Sequence, residues 1–142
     1  MPLVELENLV HVGRLKREPV MLEEYDGLLR NAARRLEDAG NESLHTESRF
    51  DLAYSAAHSV AVAALRRLGY RPSDRQVVFQ ALAHTLGTPA STWRVLAKCH
   101  EQRNRRDYEG MEAIDERLFM DLLTAAAEIL GEIQKRGAVE TI

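Results

Sequence analysis

Cysteine is nearly absent from this sequence of 142 residues, in which Cys99 is the single example. One cysteine cannot form an intramolecular disulfide or build a cysteine-based metal site. No His-x-x-x-His or Glu-x-x-His pair falls on one predicted helix, so a helical metal site lacks its ligands. A Gly-rich phosphate loop is missing too. The sequence therefore predicts a protein without metal or cofactor, from a reducing compartment.

Long apolar runs are also missing. No stretch approaches the ~18 consecutive apolar residues that a membrane-spanning helix needs. Segment 1–16 contains His11 and acidic residues, which is unlike a secretory signal peptide. We therefore expect a cytoplasmic protein without a membrane partner. The formal net charge of -3 argues against binding of polyanions by the whole surface, but it allows a local basic patch.

Glycine and proline are few, with 8 and 4 residues, and they separate segments whose apolar residues recur at spacings of three and four. This spacing is typical of amphipathic helices. The chain length fits a single domain, residues 1–142, with one core. We predict an all-α antiparallel up-and-down bundle of four to five helices over about 19–136, preceded by an arm or short helix at about 1–18.

Local signals give the helices their expected ends, and no segment shows the alternation of a strand. Ser48 is the expected N-cap of a helix that ends near Leu68. Six alanines in that helix allow a neighbour to approach closely, so we expect it to be central. Ser73 and Gln76 form a capping box for the next helix.

The predicted helix at 90–107 is unlike the others, because its apolar stripe of Trp93, Leu96 and Cys99 continues into Arg103. A buried guanidinium group needs several acceptors, or its burial is costly. A structural interpretation stays open, since cations near a helix C-terminus interact favourably with the helix dipole. Arg103 can also pair with Asp107 four residues on. The same helix carries further cations: Arg94, Lys98, Arg105 and Arg106.

The chain contains the stretches 48–57 (SRFDLAYSAA), 68–72 (LGYRP) and 103–108 (RNRRDY). Together they resemble the HEPN domain superfamily, whose members are small helical bundles, and the resemblance covers about 21–136. In active HEPN ribonucleases the motif is Arg, a polar residue that is often Asn, three variable residues and then His. Two protomers bring their motifs into a shared cleft and cleave RNA without a metal, through attack of the 2′-hydroxyl on the adjacent phosphate. The resemblance therefore implies a homodimer and RNA.

Arg103 and Asn104 match the motif, and Tyr108 stands where the motif has histidine. Arginine can clamp a phosphate and stabilise its developing charge. Tyrosine titrates at about 10 and is a poor general base at neutral pH, but it can hydrogen-bond a phosphate or stack on a base. The resemblance makes these three residues the candidate catalytic residues. Candidate RNA-binding residues are the further cations Arg94, Lys98, Arg105 and Arg106.

Two hypotheses address the missing histidine. His100 lies one turn before Arg103 and is placed to supply an imidazole. Some HEPN toxins also work beside a small nucleotidyltransferase antitoxin that modifies a tyrosine near the motif, and Tyr108 is comparable with that tyrosine. Three functions follow: an RNA-associated dimeric module with weak or absent catalysis, a metal-independent ribonuclease toxin of a toxin–antitoxin pair, or a non-enzymatic dimeric interaction protein.

Overall fold

The computed structural model of the protein describes residues 4–109 and 114–137, with side chains except at 107–109. These residues form a helical bundle with one two-stranded antiparallel sheet. The predicted all-α class is therefore confirmed. The elements are α1 (Val4–His11), β1 (Leu15–Arg17), α2 (Leu22–Ala39), α3 (Thr46–Arg67), β2 (Tyr70–Pro72), α4 (Gln76–Gln80), α5 (Leu82–Thr85), α6 (Ala90–Glu109) and α7 (Glu116–Lys135).

Helix α3 is the centre of the bundle, as its alanine content predicts. It packs most extensively against α2 and then against α7, and it also contacts α4, α5 and α6. All six of its alanines are at most 2% exposed, and the longer side chains Phe50 and Tyr54 are equally buried. Small side chains on several faces of one helix let three neighbours approach its backbone, which is why α3 is enclosed.

The N-terminal segment belongs to the core rather than hanging free as an arm. Leu6 of α1 and Leu15 of β1 are both almost fully buried. Strand β1 pairs with β2, with Lys16 opposite Arg71 at the centre of the register. The prediction that no segment forms a strand was wrong. Each strand has only three residues, which is too short to show the alternation by which strands are recognised in a sequence.

Two predicted helix starts were wrong. Helix α3 begins at Thr46 and has His45 as its N-cap residue, so Ser48 lies inside its first turn. The capping box at Ser73 and Gln76 does not form. Instead, the carboxylate of Asp74 accepts a hydrogen bond from the backbone N–H of Val77 at 2.9 Å. A carboxylate at this position accepts a backbone hydrogen bond as the expected hydroxyl would. Its negative charge also interacts favourably with the positive end of the helix dipole.

A fully buried arginine joins the N-terminal segment to α3. The guanidinium group of Arg66 donates from Nη1 to the carbonyls of Glu18 at 2.8 Å and Tyr70 at 3.2 Å, and from Nη2 to that of Pro19 at 2.6 Å. Its Nε donates to the carboxylate of Glu24 at 2.7 Å. Arg66 is 0% exposed, yet its donors have acceptors from two segments distant in sequence. This network fixes how the chain enters α2.

The start of α7 gives a first test of the local structure. Asp115 caps this helix by accepting from the N–H groups of Arg117 at 2.9 Å and Leu118 at 3.4 Å. Replacing Asp115 by Ala is expected to lower the free energy of unfolding by about 1 kcal/mol, measured by urea denaturation. Asp115→Asn keeps an acceptor and is the matched control. Equal losses for both variants would show that the carboxylate charge, not the cap, matters.

Candidate functional site

The candidate site is built around Tyr54 of α3, which is 2% exposed. Its ring lies edge-on to Phe79 of α4, with centroids 5.7 Å apart, and close to parallel with His58 and His100, both at 6.2 Å. Tyr54 and His58 are one helical turn apart, so they share the face of α3 that meets α4 and α6. The ring cluster therefore joins three helices at one point.

A chain of hydrogen bonds leads from this cluster to the predicted motif. The Tyr54 hydroxyl lies 2.7 Å from Nδ1 of His100. The other ring nitrogen of His100, Nε2, lies 3.2 Å from the amide nitrogen of Asn104. His100 is only 9% exposed. Both of its nitrogens are thus engaged within the protein, and neither is left for a substrate.

Arg103 lies over the face of Tyr54, with its guanidinium carbon 5.1 Å from the ring centroid. It is half-buried, and no carboxylate of the described side chains pairs with it. Arg103 therefore breaks the apolar stripe with none of the described carboxylates beside it. It faces a cavity of about 400 Å³, named here the arginine cavity, which is lined by Arg35, Asp51, Tyr54, Ser55, His58, Ser59, Arg75 and Arg103.

The arginine cavity is positively charged. Its one lining carboxylate, Asp51, is paired with Arg106. Arg35 donates to the hydroxyl of Ser55 at 2.8 Å, and exposed Arg75 has no carboxylate partner among the described side chains. Unpaired guanidinium groups beside a low-dielectric wall attract anions, and their planar donor forks match phosphate oxygens.

Tyr54 and His58 in the wall, and His100 in contact with Tyr54, remain neutral at physiological pH. Burial raises the pKa of Tyr54, and the positive charges of Arg103 and Arg75 only partly oppose this. Burial, followed by the charges of Arg75 and Arg103, lowers the pKa of His58 to about 4. Burial also lowers the pKa of His100, helped by Arg103. The positive charge of the cavity therefore comes from arginine alone.

A second cavity of about 480 Å³ lies beyond the His100–Asn104 pair. It shares no lining residue with the arginine cavity, but adjacent residues of α6 and of the α4 start line the two: Asn104 next to Arg103, and Gln76 next to Arg75. Side-chain amides and one aromatic ring are prominent in its wall. The lining residues are Arg14, Gln76, Phe79, Gln80, Ala97, His100, Glu101, Asn104 and Arg105.

The predicted RNA-binding cations are not brought together. Arg94 is exposed and lies over Trp93, 5.6 Å from its ring, and Lys98 is exposed on the same helix. Neither lines the two cavities, whereas Arg105 lines the second one. Arg106 contacts Asp51, and its guanidinium carbon lies 5.7 Å from the centroid of the Phe50 ring in α3. The side chains of Asp107 and Tyr108 lie outside the described part of the structure, so their predicted roles remain predictions.

Three residues of the site were missed by sequence reasoning. Tyr54, His58 and Arg75 were not among the candidate residues, although Tyr54 lies in the stretch 48–57 and Arg75 lies between Ser73 and Gln76. One signal was available in the sequence, because two serines and a histidine interrupt an alanine-rich helix at 55, 58 and 59. Polar residues on an otherwise apolar helix indicate either a buried polar cluster or the wall of a cavity.

Neither a metal cluster, a membrane-spanning helix nor a known relative identifies the function. Among the described side chains, no group of three or more His, Cys, Asp or Glu residues is arranged to hold a metal ion. In the same part of the chain, every helix is too short or too polar to cross a membrane. The sequence matches no known family model, and no curated protein is significantly similar to it. The function must therefore be inferred from the residues of the site.

Proposed function

We propose that this protein is an RNA-associated, HEPN-like helical module that binds RNA phosphates in the arginine cavity, with weak or absent catalysis. The observation that carries the proposal is the position of Arg103. It is half-buried beside Tyr54 and has no carboxylate partner among the described side chains. A protein that used this arginine only to join helices would be expected to surround it with a carboxylate and several carbonyls, as it does for Arg66.

The shape of the site favours a phosphate within a larger ligand over a free small anion. The arginine cavity presents guanidinium groups from α2, α6 and the residue before α4. The second cavity, beyond the His100–Asn104 pair, offers amides and a ring edge that suit a nucleobase. Positive groups that track a backbone beside polar and aromatic surfaces are typical of single-stranded RNA binding. RNA is also what the HEPN resemblance implies.

The ribonuclease alternative has weaker support than binding. Cleavage through a 2′-hydroxyl needs a group that takes its proton. His100, the sequence-based substitute, is buried and has both ring nitrogens engaged. His58 has its pKa lowered to about 4 by burial, which makes it a weak base. We therefore place the protein among RNA-binding modules rather than ribonuclease toxins.

The resemblance also leads us to propose a cytoplasmic homodimer, in which two arginine cavities face a common cleft. An antitoxin of the nucleotidyltransferase type remains a proposed partner only for the toxin alternative. Sedimentation equilibrium over a range of protein concentrations measures the oligomeric state. A monomer at every concentration would remove the shared cleft and leave each cavity to bind RNA alone.

Binding of RNA can be tested by salt-dependent titration of a fluorescent single-stranded RNA. Arg103→Ala is expected to weaken binding about 10- to 100-fold, because hydrogen bonds to charged groups contribute about 1.5–3 kcal/mol. It should also reduce the slope of log K against log salt by about 1. Arg75→Ala should act in the same direction. The control is Arg94→Ala, which removes an exposed arginine outside both cavities and should change binding less than twofold.

Two results would contradict the proposal. The first is negligible binding of RNA by both the unmodified protein and the Arg103→Ala variant. The second is an equal loss of affinity in Arg94→Ala and Arg103→Ala, which would indicate a general basic surface of α6 and not a site at the cavity.

A further inference from the structure

We infer that Asn104 and His100 are positioning residues that turn the Tyr54 hydroxyl into the arginine cavity as a neutral hydrogen-bond donor to a phosphate oxygen. This rests on the proposed function for the identity of the ligand, but not for the direction of the hydrogen bonds. It gives Asn104 a role inside the protein and adds Tyr54 to the residues that contact the phosphate.

The first step concerns the amide of Asn104. Its nitrogen lies 3.2 Å from Nε2 of His100, and an amide nitrogen can only donate. With the amide in this orientation, Nε2 is the acceptor. Burial and the nearby arginine charges keep the imidazole neutral, so the ring carries one proton, and that proton resides on Nδ1.

The direction of the Asn104–His100 hydrogen bond determines the direction of the hydrogen bond between His100 and Tyr54. Because Nδ1 of His100 carries the proton, it donates to the Tyr54 oxygen at 2.7 Å. The phenol keeps its own proton, since burial raises its pKa. The hydroxyl hydrogen then points away from His100, and no other side chain in the described residues accepts it.

The Tyr54 hydroxyl hydrogen faces the arginine cavity. Tyr54 lines the arginine cavity, and the guanidinium groups of Arg75 and Arg103 are near enough to act on its pKa. These groups are donors only, so none of them can accept the hydroxyl hydrogen. A phosphate oxygen is an acceptor and carries negative charge, and it satisfies the hydroxyl and both arginines together. The reversed chain, with Tyr54 donating to His100, would need the Asn104 amide to turn over and present its oxygen to Nε2.

The inference can be tested without RNA, by measuring the tautomer of His100. The protein is labelled with ¹⁵N-histidine, and long-range ¹H–¹⁵N correlation spectra are recorded at pH 7. His100→Asn identifies the His100 signals by their loss. We expect a neutral ring protonated at Nδ1, the tautomer that is less common in water. A ring protonated at Nε2 would overturn the inference, because Tyr54 would then donate inward.

Binding of the single-stranded RNA provides the second test. Tyr54→Phe removes only the hydroxyl and should weaken binding about tenfold or more, because the lost hydrogen bond is one to a charged phosphate. His100→Asn keeps a donor near the position of Nδ1 and should lose less affinity than a variant without that donor. His100→Gln keeps a polar group near Nε2 but loses the donor to Tyr54, so it should lose affinity as Tyr54→Phe does.

Thermal denaturation of each variant checks that it is folded before its affinity is interpreted. Unchanged affinity in a folded Tyr54→Phe variant would refute the contact with phosphate, as would equal affinities for the two His100 variants. If the unmodified protein binds no RNA at all, the proposed function and the phosphate contact both fail. The tautomer measurement would in that case still decide whether Asn104 and His100 direct the hydroxyl outward.

Discussion

Replacing Arg66 by Ala is expected to lower the free energy of unfolding by about 3–5 kcal/mol, the range for removing one partner of a buried charged network. The substitution leaves three backbone carbonyls, those of Glu18, Pro19 and Tyr70, without the donor they have in the native structure. It also leaves the half-buried carboxylate of Glu24 with one arginine fewer. Because these groups belong to the entry of α2 and to β2, loosening of the N-terminal segment should accompany the loss.

Two variants separate the network from the effect of charge and helix propensity. Arg66→Lys keeps the charge but cannot reach acceptors in four directions, so an intermediate loss is expected. Arg34→Ala removes an exposed arginine of α2 and should change stability by less than about 0.5 kcal/mol. Urea denaturation followed by circular dichroism measures all three. A loss below 1 kcal/mol for Arg66→Ala would show that the buried network does not stabilise the fold.

Replacing Phe79 by Ala is expected to lower the free energy of unfolding by about 3–5 kcal/mol, as for other large aromatic side chains removed from a core. Phe79 is fully buried in α4, a helix of 5 residues that has little stability of its own. Its ring lies 5.7 Å from that of Tyr54 and 6.1 Å from that of His58. The cavity left behind should therefore also loosen the wall of the arginine cavity, and RNA affinity should fall.

Phe79→Leu is the matched control, since it keeps much of the buried volume and should cost clearly less than Phe79→Ala. If the ring cluster positions Tyr54, the leucine variant should lose RNA affinity in proportion to the disorder of the Tyr54 ring seen by NMR. Full RNA affinity in a destabilised but folded Phe79→Ala variant would contradict the link between the core and the site.

Arg103 and Arg66 differ in how readily the sequence reveals them. Arg103 could be singled out because it interrupts an apolar stripe that is visible within one helix. Arg66 gave no such signal, since it precedes Arg67 at the end of α3, where paired arginines are ordinary. Three of the four acceptors of Arg66 lie more than forty residues earlier in the chain. No local pattern records that a distant turn supplies its carbonyls to this guanidinium group.

The sequence by itself determined the helical class, the central position of α3 and the unusual character of Arg103-Asn104. Helix formation depends on spacings of three and four residues and on alanine content, and both are properties of neighbouring residues. The predicted starts of α3 and α4 were wrong. Asp74 and Ser73 are both good capping residues, and the choice between them depends on how β2 directs the chain into α4.

Only the tertiary structure decided what surrounds Arg103. Tyr54, Arg75 and Arg35 come from three other segments, and their distances to one another depend on how α2, α3 and α4 pack. The same packing buried His100 and engaged both of its ring nitrogens, which changed it from a substitute base into a link between Asn104 and Tyr54. Burial and hydrogen-bond direction are properties of contacts between distant residues, so they become visible only when the chain is folded.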